Sequence, residues 1–160
     1  MPTSDDLLER DFGTLPDLLH AHATERPSHI AVIDGERRRS YAELDALADR
    51  VAAALQRDGL GPGDVVAICS PSSIEYIATF VGALRAGVAA SPLSPSSTAE
   101  GLALMIRDSG AKIAFIDDSS SKALDGIMQK LDVKRIALEG TANPSFDSWL
   151  ARAAAKPQPV

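Results

Sequence analysis

The chain has 160 residues, a formal net charge of −6, an apolar share of 45% and a charged share of 24%. These values are typical of one globular domain that is long enough to bury a core. The negative charge disfavours a nucleic-acid partner, because binding phosphates requires a basic surface. No apolar run approaches the ~20 residues of a membrane helix. The acidic start, Met1–Asp6, lacks the basic and apolar regions of a signal peptide.

The chain contains one cysteine, Cys69. A lone cysteine excludes an intrachain disulfide and fits a reducing compartment, so we expect a cytoplasmic protein. Because Cys69 lies inside an apolar run, we interpret it as a small buried hydrophobic residue rather than a reactive thiol.

The first part of the chain predicts a helix followed by a hairpin. The helix begins at Thr14, which has Asp17 as a capping partner, and it ends before Pro27. The segments Ile30–Asp34 and Arg37–Ser40 flank an Asp-Gly turn signal and predict an antiparallel hairpin. We interpret the basic run Arg37, Arg38 and Arg39 as a solvated edge strand.

Capping boxes, apolar runs and glycines at helix ends predict the later elements. In chain order they are a helix from Ser40–Glu43 to Gly59, a strand Val65–Cys69, a helix from Ser72–Glu75 to Gly87, a strand Val88–Ser91, a helix from Ser97–Glu100 to Gly110, a strand Lys112–Ile116, a helix Lys122–Leu131, a strand Lys134–Leu138 and a short helix from Ser145 to about Ala155.

Apolar residues at helical spacing predict which side of each helix faces the core. The predicted inward residues are Leu15, Leu18, Leu19 and His22, then Leu44, Leu47, Val51 and Leu55, then Ile74, Ile77, Val81 and Leu84, then Leu102, Met105 and Ile106, and finally Leu124, Ile127, Met128 and Leu131.

Strands alternate with helices four times after the hairpin. This alternation predicts an α/β fold with a mostly parallel sheet, helices on both faces and an N-terminal β-hairpin.

The residues alone do not assemble an active site. The segment Gly59–Gly63 precedes a strand, whereas phosphates in open α/β sheets bind beyond the strand carboxyl ends. We interpret His20, His22 and His29 as surface or boundary residues, and the pair Asp117-Asp118 as a turn. The sequence therefore predicts no catalytic, cofactor-binding or metal-binding residue.

Four motifs, in order and spacing, resemble the start of the ANL adenylate-forming enzymes, which include acyl-CoA synthetases, peptide-synthetase adenylation domains and luciferases. They are Ser40–Leu44, Gly61–Asp64 with the strand Val65–Cys69 after it, Leu84–Leu93 and Asp108–Lys112. Two positions depart from the pattern that the family often shows. Ser72 follows Pro71 where many relatives have Asn, and Ser96 stands where some CoA ligases have a basic residue that reaches CoA phosphate.

The resemblance implies that residues 1–160 are an N-terminal part of the acyl-CoA synthetase fold and end just before the phosphate-binding loop. The parent enzyme, meaning the longer protein to which such a part belongs, would be a carboxylic acid–CoA ligase that uses ATP, Mg²⁺ and CoA on a small carboxylic acid. Fatty acids and coumarate-like aromatic acids are the leading substrates. This chain would pack against the remainder of the parent, bind no cofactor itself and be inactive alone.

An alternative of a different class is a stand-alone, non-catalytic nucleotide-binding or interaction module. A small nucleotide would then bind beyond the strand carboxyl ends, near Ser70–Ser73 or Ser91–Ser96. If residues 1–160 are instead a part of a longer enzyme, we expect the chain separated from the remainder of the parent to expose an apolar patch and to self-associate.

Overall fold

The computed structural model describes residues 2–127, 133–139 and 144–160. A four-stranded parallel sheet has helices on both faces, and a two-stranded antiparallel hairpin lies beside it. The elements are α1 (Ser4–Leu8), α2 (Leu15–Glu25), β1 (Ile30–Asp34), β2 (Arg37–Ser40), α3 (Tyr41–Arg57), β3 (Val65–Cys69), α4 (Ile74–Arg85), β4 (Ala89–Leu93), α5 (Ala99–Ser109), β5 (Ile113–Ile116), α6 (Asp118–Leu124), β6 (Lys134–Ala137) and α7 (Phe146–Leu150). The predicted fold class is confirmed.

The sheet has the strand order β4-β3-β5-β6, and all neighbouring strands are parallel. The strands that follow β3 in the chain lie on both sides of it, so the winding direction reverses there. Strands β3 and β5 are almost wholly buried, as their continuous apolar runs predict. Strand β4 begins at Ala89 and extends to Leu93, two residues beyond its predicted end.

Two apolar cores cover the two faces of the sheet. On one face, α3, α4 and α7 pack against β3 and β5, with Val51, Phe115 and Trp149 among the buried residues. On the other face, α5 and α6 cover alternate residues of the same strands, with Ile106 and Leu124 buried. Because each strand presents alternate residues to opposite faces, both sides of the central strands must be apolar.

The predicted caps at Thr14 and Ser40 are confirmed, and Ser40 forms its capping box with Glu43. The caps at Ser72 and Ser97 are wrong by one residue. Ser73 caps α4 by accepting a hydrogen bond from the backbone N–H of Tyr76, and Thr98 caps α5 in the same way. Each predicted cap is followed by a second hydroxyl residue, and local sequence cannot choose between the two.

Other differences concern helix bounds. Helix α1 was not predicted, although Thr3 and Asp6 form a capping box there. The pair Asp117-Asp118 is not a turn, because Asp117 caps α6, which begins before the predicted Lys122. The predicted inward residues Met128 and Leu131 lie outside the described residues. Helix α7 ends at Leu150, short of the predicted Ala155.

Most of the predicted apolar stripes are buried or half-buried, and two residues are exceptions. Leu15 and Leu84 are exposed at the ends of α2 and α4. Leu15 is the first residue of α2 and Leu84 is the last but one of α4, and helical spacing alone assigned them to the core. Cys69 is buried as predicted.

Helices α3 and α4 cross closely at Gly82. A Cβ atom at this position would lie 2.6 Å from the Cβ of Val51 and 2.9 Å from the carbonyl oxygen of Ala48. Real Cβ atoms do not approach so closely, so glycine is required by the crossing and not by its backbone angles.

We expect Gly82→Ala to lower the free energy of unfolding by about 1–3 kcal/mol, because the added methyl group must push α3 away from α4. Urea denaturation followed by circular dichroism measures this change. Gly61→Ala is the control, since a Cβ at Gly61 meets no atom within 4 Å. Equal stability of the two variants would contradict the crossing as described.

Candidate functional site

The candidate site lies at the carboxyl edge of the parallel sheet, between β3 and β5. In open α/β sheets, ligands bind outside the strand carboxyl ends where the winding direction reverses. Here β4 lies on one side of β3 and β5 on the other. The segments that leave these strands are 70–73, 94–98 and 117–120.

The segment after β3 is rich in serine, but its polar groups serve the fold. The hydroxyl of Ser70 is buried and donates to the carbonyl oxygen of Pro71 at 3.1 Å. The hydroxyl of Ser73 caps α4. The carboxylate of Asp34, from the hairpin, accepts a hydrogen bond from the backbone N–H of Ile74 at 3.4 Å. Two backbone N–H groups in the first turn of α4, those of Ile74 and Tyr76, are therefore hydrogen-bonded from within the chain.

The segment after β4 forms a tight polar turn. The hydroxyls of Ser94 and Ser96 lie 2.8 Å apart, and the backbone N–H of Ser97 donates to the carbonyl oxygen of Ser94 at 3.2 Å. The side chain of Ser96 is a neutral hydroxyl, so this position has no positive charge that could contact a phosphate group. Ser91, at the other end of the segment Ser91–Ser96, lies inside β4 and is half-buried.

Asp117 follows β5 and is buried. Its Oδ1 accepts hydrogen bonds from the backbone N–H of Ser120 at 2.6 Å and from the hydroxyl of Ser119 at 3.0 Å. The thiol of Cys69 lies 3.5 Å from the hydroxyl of Ser120. Burial raises the pKa of the Cys69 thiol, although the Ser120 contact acts in the opposite direction. The thiol is thus kept protonated and is a weak nucleophile.

The tip of the hairpin is held at the same edge of the sheet by Arg37. Its guanidinium donates to both carboxylate oxygens of Glu75, at 2.7 and 3.0 Å, and also pairs with Asp34. Hydrogen bonding to Glu75 is the main cause that raises the pKa of Arg37. Beside this pair is a cavity of about 330 Å³, lined by Arg37, Glu75, Ala137, Leu138, Glu139, Ser145, Phe146 and Asp147.

Sequence analysis missed this arrangement because Arg37 and Glu75 are 38 positions apart. The prediction that the three arginines lie on an exposed strand is confirmed. Arg37 has a second role, because it joins the hairpin to α4. An arginine in a hairpin and a glutamate in the first turn of a helix carry no local signal of their pairing.

The histidines do not come together as a metal site. His20 is hydrogen-bonded to Asp45 at 2.8 Å, whereas the ring of His22 lies 5.0 Å from the ring of Tyr41. Across residues 2–127, 133–139 and 144–160, no group of three or more His, Cys, Asp or Glu residues could hold a metal ion. In the same residues, every buried side-chain nitrogen and oxygen has a hydrogen-bond partner.

No helix in the described part of the chain is long and apolar enough to cross a membrane.

The family model described as "AMP-binding enzyme" matches residues 19–160 of this chain. The chain belongs to this family. The family is adenylate-forming, so the resemblance to the ANL enzymes is confirmed.

Two curated relatives are peptide synthases. The dimodular nonribosomal peptide synthase of Bacillus subtilis is 36% identical over 125 residues, which is 78% of this chain and 5% of that protein. Bacitracin synthase 1 of Bacillus licheniformis is 32% identical over 128 residues, or 80% of this chain and 2% of that protein. The chain thus spans a small part of each curated relative.

Among solved structures, the N-terminal domain of FACL13 from Mycobacterium tuberculosis has a TM-score of 0.83 and 28% sequence identity. The match covers 93% of this chain and 38% of that domain. The architecture of this chain therefore recurs in a part of that N-terminal domain.

Proposed function

We propose that this chain is the N-terminal structural part of an adenylate-forming enzyme and that residues 1–160 end before its phosphate-binding loop. In the reaction, a carboxylate oxygen attacks the α-phosphorus of ATP, the bond to pyrophosphate breaks, and an acyl-adenylate forms. A thiol sulfur then attacks the acyl carbon, and AMP leaves. The family match over residues 19–160 supports this proposal.

One observation carries the structural role: three polar side chains at the carboxyl edge of the sheet are used inside the fold. Ser73, Thr98 and Asp117 each cap the helix that follows a strand. Stabilising the charge on phosphate groups during their transfer requires hydrogen-bond donors or cations that are free to contact the substrate. We therefore propose that the chain alone is inactive and that the reacting groups belong to other parts of the parent.

The described residues do not fit Mg²⁺, since they contain no cluster of acidic ligands and the edge carboxylate of Asp117 is occupied by Ser119 and Ser120. We accordingly propose that ATP and Mg²⁺ bind through the remainder of the parent.

For the thiol acceptor we propose CoA, supported by the likeness to the Mycobacterium tuberculosis fatty acyl CoA synthetase, which is 29% identical with a TM-score of 0.80. A second candidate is activation of an amino acid for peptide synthesis. Two observations favour it: the higher identity, 36%, to a peptide synthase, and the neutral Ser96 at the position where a CoA contact was considered.

The first experiment is to sequence the source DNA past the codon for Val160. An open reading frame that continues into a Ser/Thr/Gly-rich loop ending in Lys-Gly would support the proposed parent. The encoded full-length protein would then be assayed for ATP–pyrophosphate exchange with fatty, aromatic and amino acids, and for CoA thioester formation. Exchange with an amino acid but no CoA thioester would replace the CoA proposal with the second candidate.

The second experiment tests the role of the 160 residues by titrating them with ATP-Mg in a calorimeter. We expect no binding tighter than about 1 mM, because the edge groups are already hydrogen-bonded. Tighter binding would contradict the structural role and favour a stand-alone nucleotide-binding module.

A further inference from the structure

One carboxylate anchors helix α1 to the fold. Glu25, in the last turn of α2, accepts a hydrogen bond from the backbone N–H of Ser4 at 2.6 Å on one oxygen and a hydrogen bond from the Ser4 hydroxyl at 2.6 Å on the other. Ser4 is the first residue of α1, and it is buried although it is polar. Hydrogen bonds to an ionised group are stronger than those between neutral groups, and two bonds to one carboxylate also fix its direction.

The position of Glu25 shows which helix it stabilises. A negative charge is unfavourable at the carboxyl end of a helix and favourable at the amino end, and Glu25 lies at the carboxyl end of α2 and at the amino end of α1. The hydrogen bonds from Ser4, first the hydroxyl and then the backbone N–H, outweigh desolvation and lower the pKa of Glu25. The carboxylate is therefore ionised at neutral pH and supports α1.

The apolar contact between α1 and α2 is small. Leu7 is the large apolar side chain of α1 that is buried, whereas Leu8 is 68% exposed. A cavity of about 280 Å³ remains between residues 2–10 and α2, with Leu7 on one side and Ala21 and Thr24 on the other. Atoms that border a void lose the contacts that stabilise a packed core. Packing therefore holds α1 only weakly.

Helix α1 is too short to form by itself. It has five residues, and its capping box joins Thr3 and Asp6 across a single turn. Isolated helices shorter than about 12–15 residues are marginal in water. Ordering the backbone of five residues also costs more free energy than the burial of one leucine side chain returns. The hydrogen bonds to Glu25 must therefore supply part of the difference.

We propose that α1 is a latch with two states, docked on α2 or unfolded, and that the Glu25 carboxylate determines which state is populated. Release uncovers Leu7 and the part of α2 around Ala21. Neither residue belongs to the two apolar cores that cover the sheet, so the rest of the fold is retained when the latch opens. This inference does not depend on the proposed enzymatic reaction.

Hydrogen–deuterium exchange near neutral pH on the 160-residue chain tests the proposal. The reporter amides are those of Leu7 and Glu9, which donate to the carbonyl oxygens of Thr3 and Asp5 within α1. Glu25→Ala removes both hydrogen bonds from Ser4 and places a strong helix former in α2.

Thr24→Ala is the matched control for Glu25→Ala. Thr24 lies in the same turn of α2 and lines the same cavity, but its hydroxyl donates to the carbonyl oxygen of His20 and not to α1. We expect the reporter amides to exchange at least about tenfold faster in Glu25→Ala than in the wild-type chain, and Thr24→Ala to match the wild-type chain. The amides of α3 and β3 should keep their wild-type rates in both variants.

A second pair of variants separates the effect of charge from that of shape. Ser4→Asp places another carboxylate against Glu25, although aspartate in the first turn is favourable for the helix itself. We therefore expect faster exchange of the reporter amides, caused by repulsion between the two carboxylates. Adding Glu25→Gln to Ser4→Asp should restore part of the protection, because the glutamine amide donates to a carboxylate.

Four results would overturn the proposal. Unprotected reporter amides in the wild-type chain would mean that α1 is not docked. Wild-type rates in Glu25→Ala would mean that the carboxylate does not hold α1. Faster exchange in α3 and β3 together with α1 would mean that α1 opens only when the whole chain unfolds. Equal exchange in Ser4→Asp with and without Glu25→Gln would exclude the charge of Glu25 as the cause.

Discussion

Replacing Trp149 by alanine should lower the free energy of unfolding by about 3–5 kcal/mol, the range found for large buried aromatic residues. Trp149 is 1% exposed, and its ring meets the ring of Phe115 edge-on at a centroid distance of 5.1 Å. The ring fills the space between α7 and the central strand β5. Its loss would leave a cavity beneath α7, the five-residue helix that carries it. Urea denaturation followed by circular dichroism measures the effect.

The control for this prediction is Trp149→Phe, which keeps an aromatic ring but removes the indole N–H. That N–H donates to the Asp58 carboxylate at 2.8 Å, and Lys134 and Arg57 pair with the same group. Partial burial raises the pKa of Asp58, but the hydrogen bonds from Lys134, Trp149 and Arg57 outweigh it, so the pKa lies below its usual value. The remaining two partners keep the carboxylate satisfied. The phenylalanine variant should thus lose clearly less stability than the alanine variant, and equal losses would show that the hydrogen bond, and not the ring, matters.

Much of this fold could be predicted from local sequence, for reasons that individual residues make clear. Ser40 and Glu43 satisfy each other across one helical turn, so their pattern alone locates the start of α3. The run Val65–Cys69 is apolar because both faces of β3 are covered, and such a run indicates a parallel strand. Where the determining contacts lie within a few residues of each other, prediction and structure agree.

Prediction from local sequence failed where contacts between residues far apart in the chain determine the structure. The start of α4 at Ser73 instead of Ser72 accompanies the binding of Glu75 by Arg37, which leaves that carboxylate unable to complete a capping box. Leu84 has the spacing of a core residue but is exposed near the end of α4. The close crossing at Gly82 also depends on another helix. None of these facts is encoded within one helix.

The candidate site shows the same division. Sequence analysis found the serines at the carboxyl edge of the sheet and predicted no catalytic residue, and this remains a prediction. The structure adds where the edge groups are used: Ser73 caps α4, and Asp117 caps α6. Hydroxyl and carboxylate groups at strand ends can bind ligands or cap helices, and only their hydrogen-bond partners distinguish the two uses.

Replacing Arg85 by methionine should also lower the free energy of unfolding by about 3–5 kcal/mol, because two largely buried carboxylates lose the guanidinium that pairs with both, and among the described residues only Asp45 keeps another partner, His20. Arg85 has a side chain that is 12% exposed and donates to Asp45 at 2.6 Å and to Asp49 at 2.7 Å. It also donates to the carbonyl oxygen of Pro16 at 3.3 Å, so one guanidinium joins α2, α3 and α4. Hydrogen–deuterium exchange in α2 should accelerate in the variant, because α2 loses this connection.

Arg37→Met is a matched control for Arg85→Met. Arg37 also pairs with two carboxylates, those of Asp34 and Glu75, but its side chain is 50% exposed. Pairs that water already reaches contribute little, so this variant should lose no more than about 1 kcal/mol. A triple variant, Arg85→Met with Asp45→Asn and Asp49→Asn, should recover part of the stability lost by Arg85→Met, because no unpaired charge remains. If the two arginine variants lost equal stability, burial of the charges would not be the cause, and the network around Arg85 would have been misinterpreted.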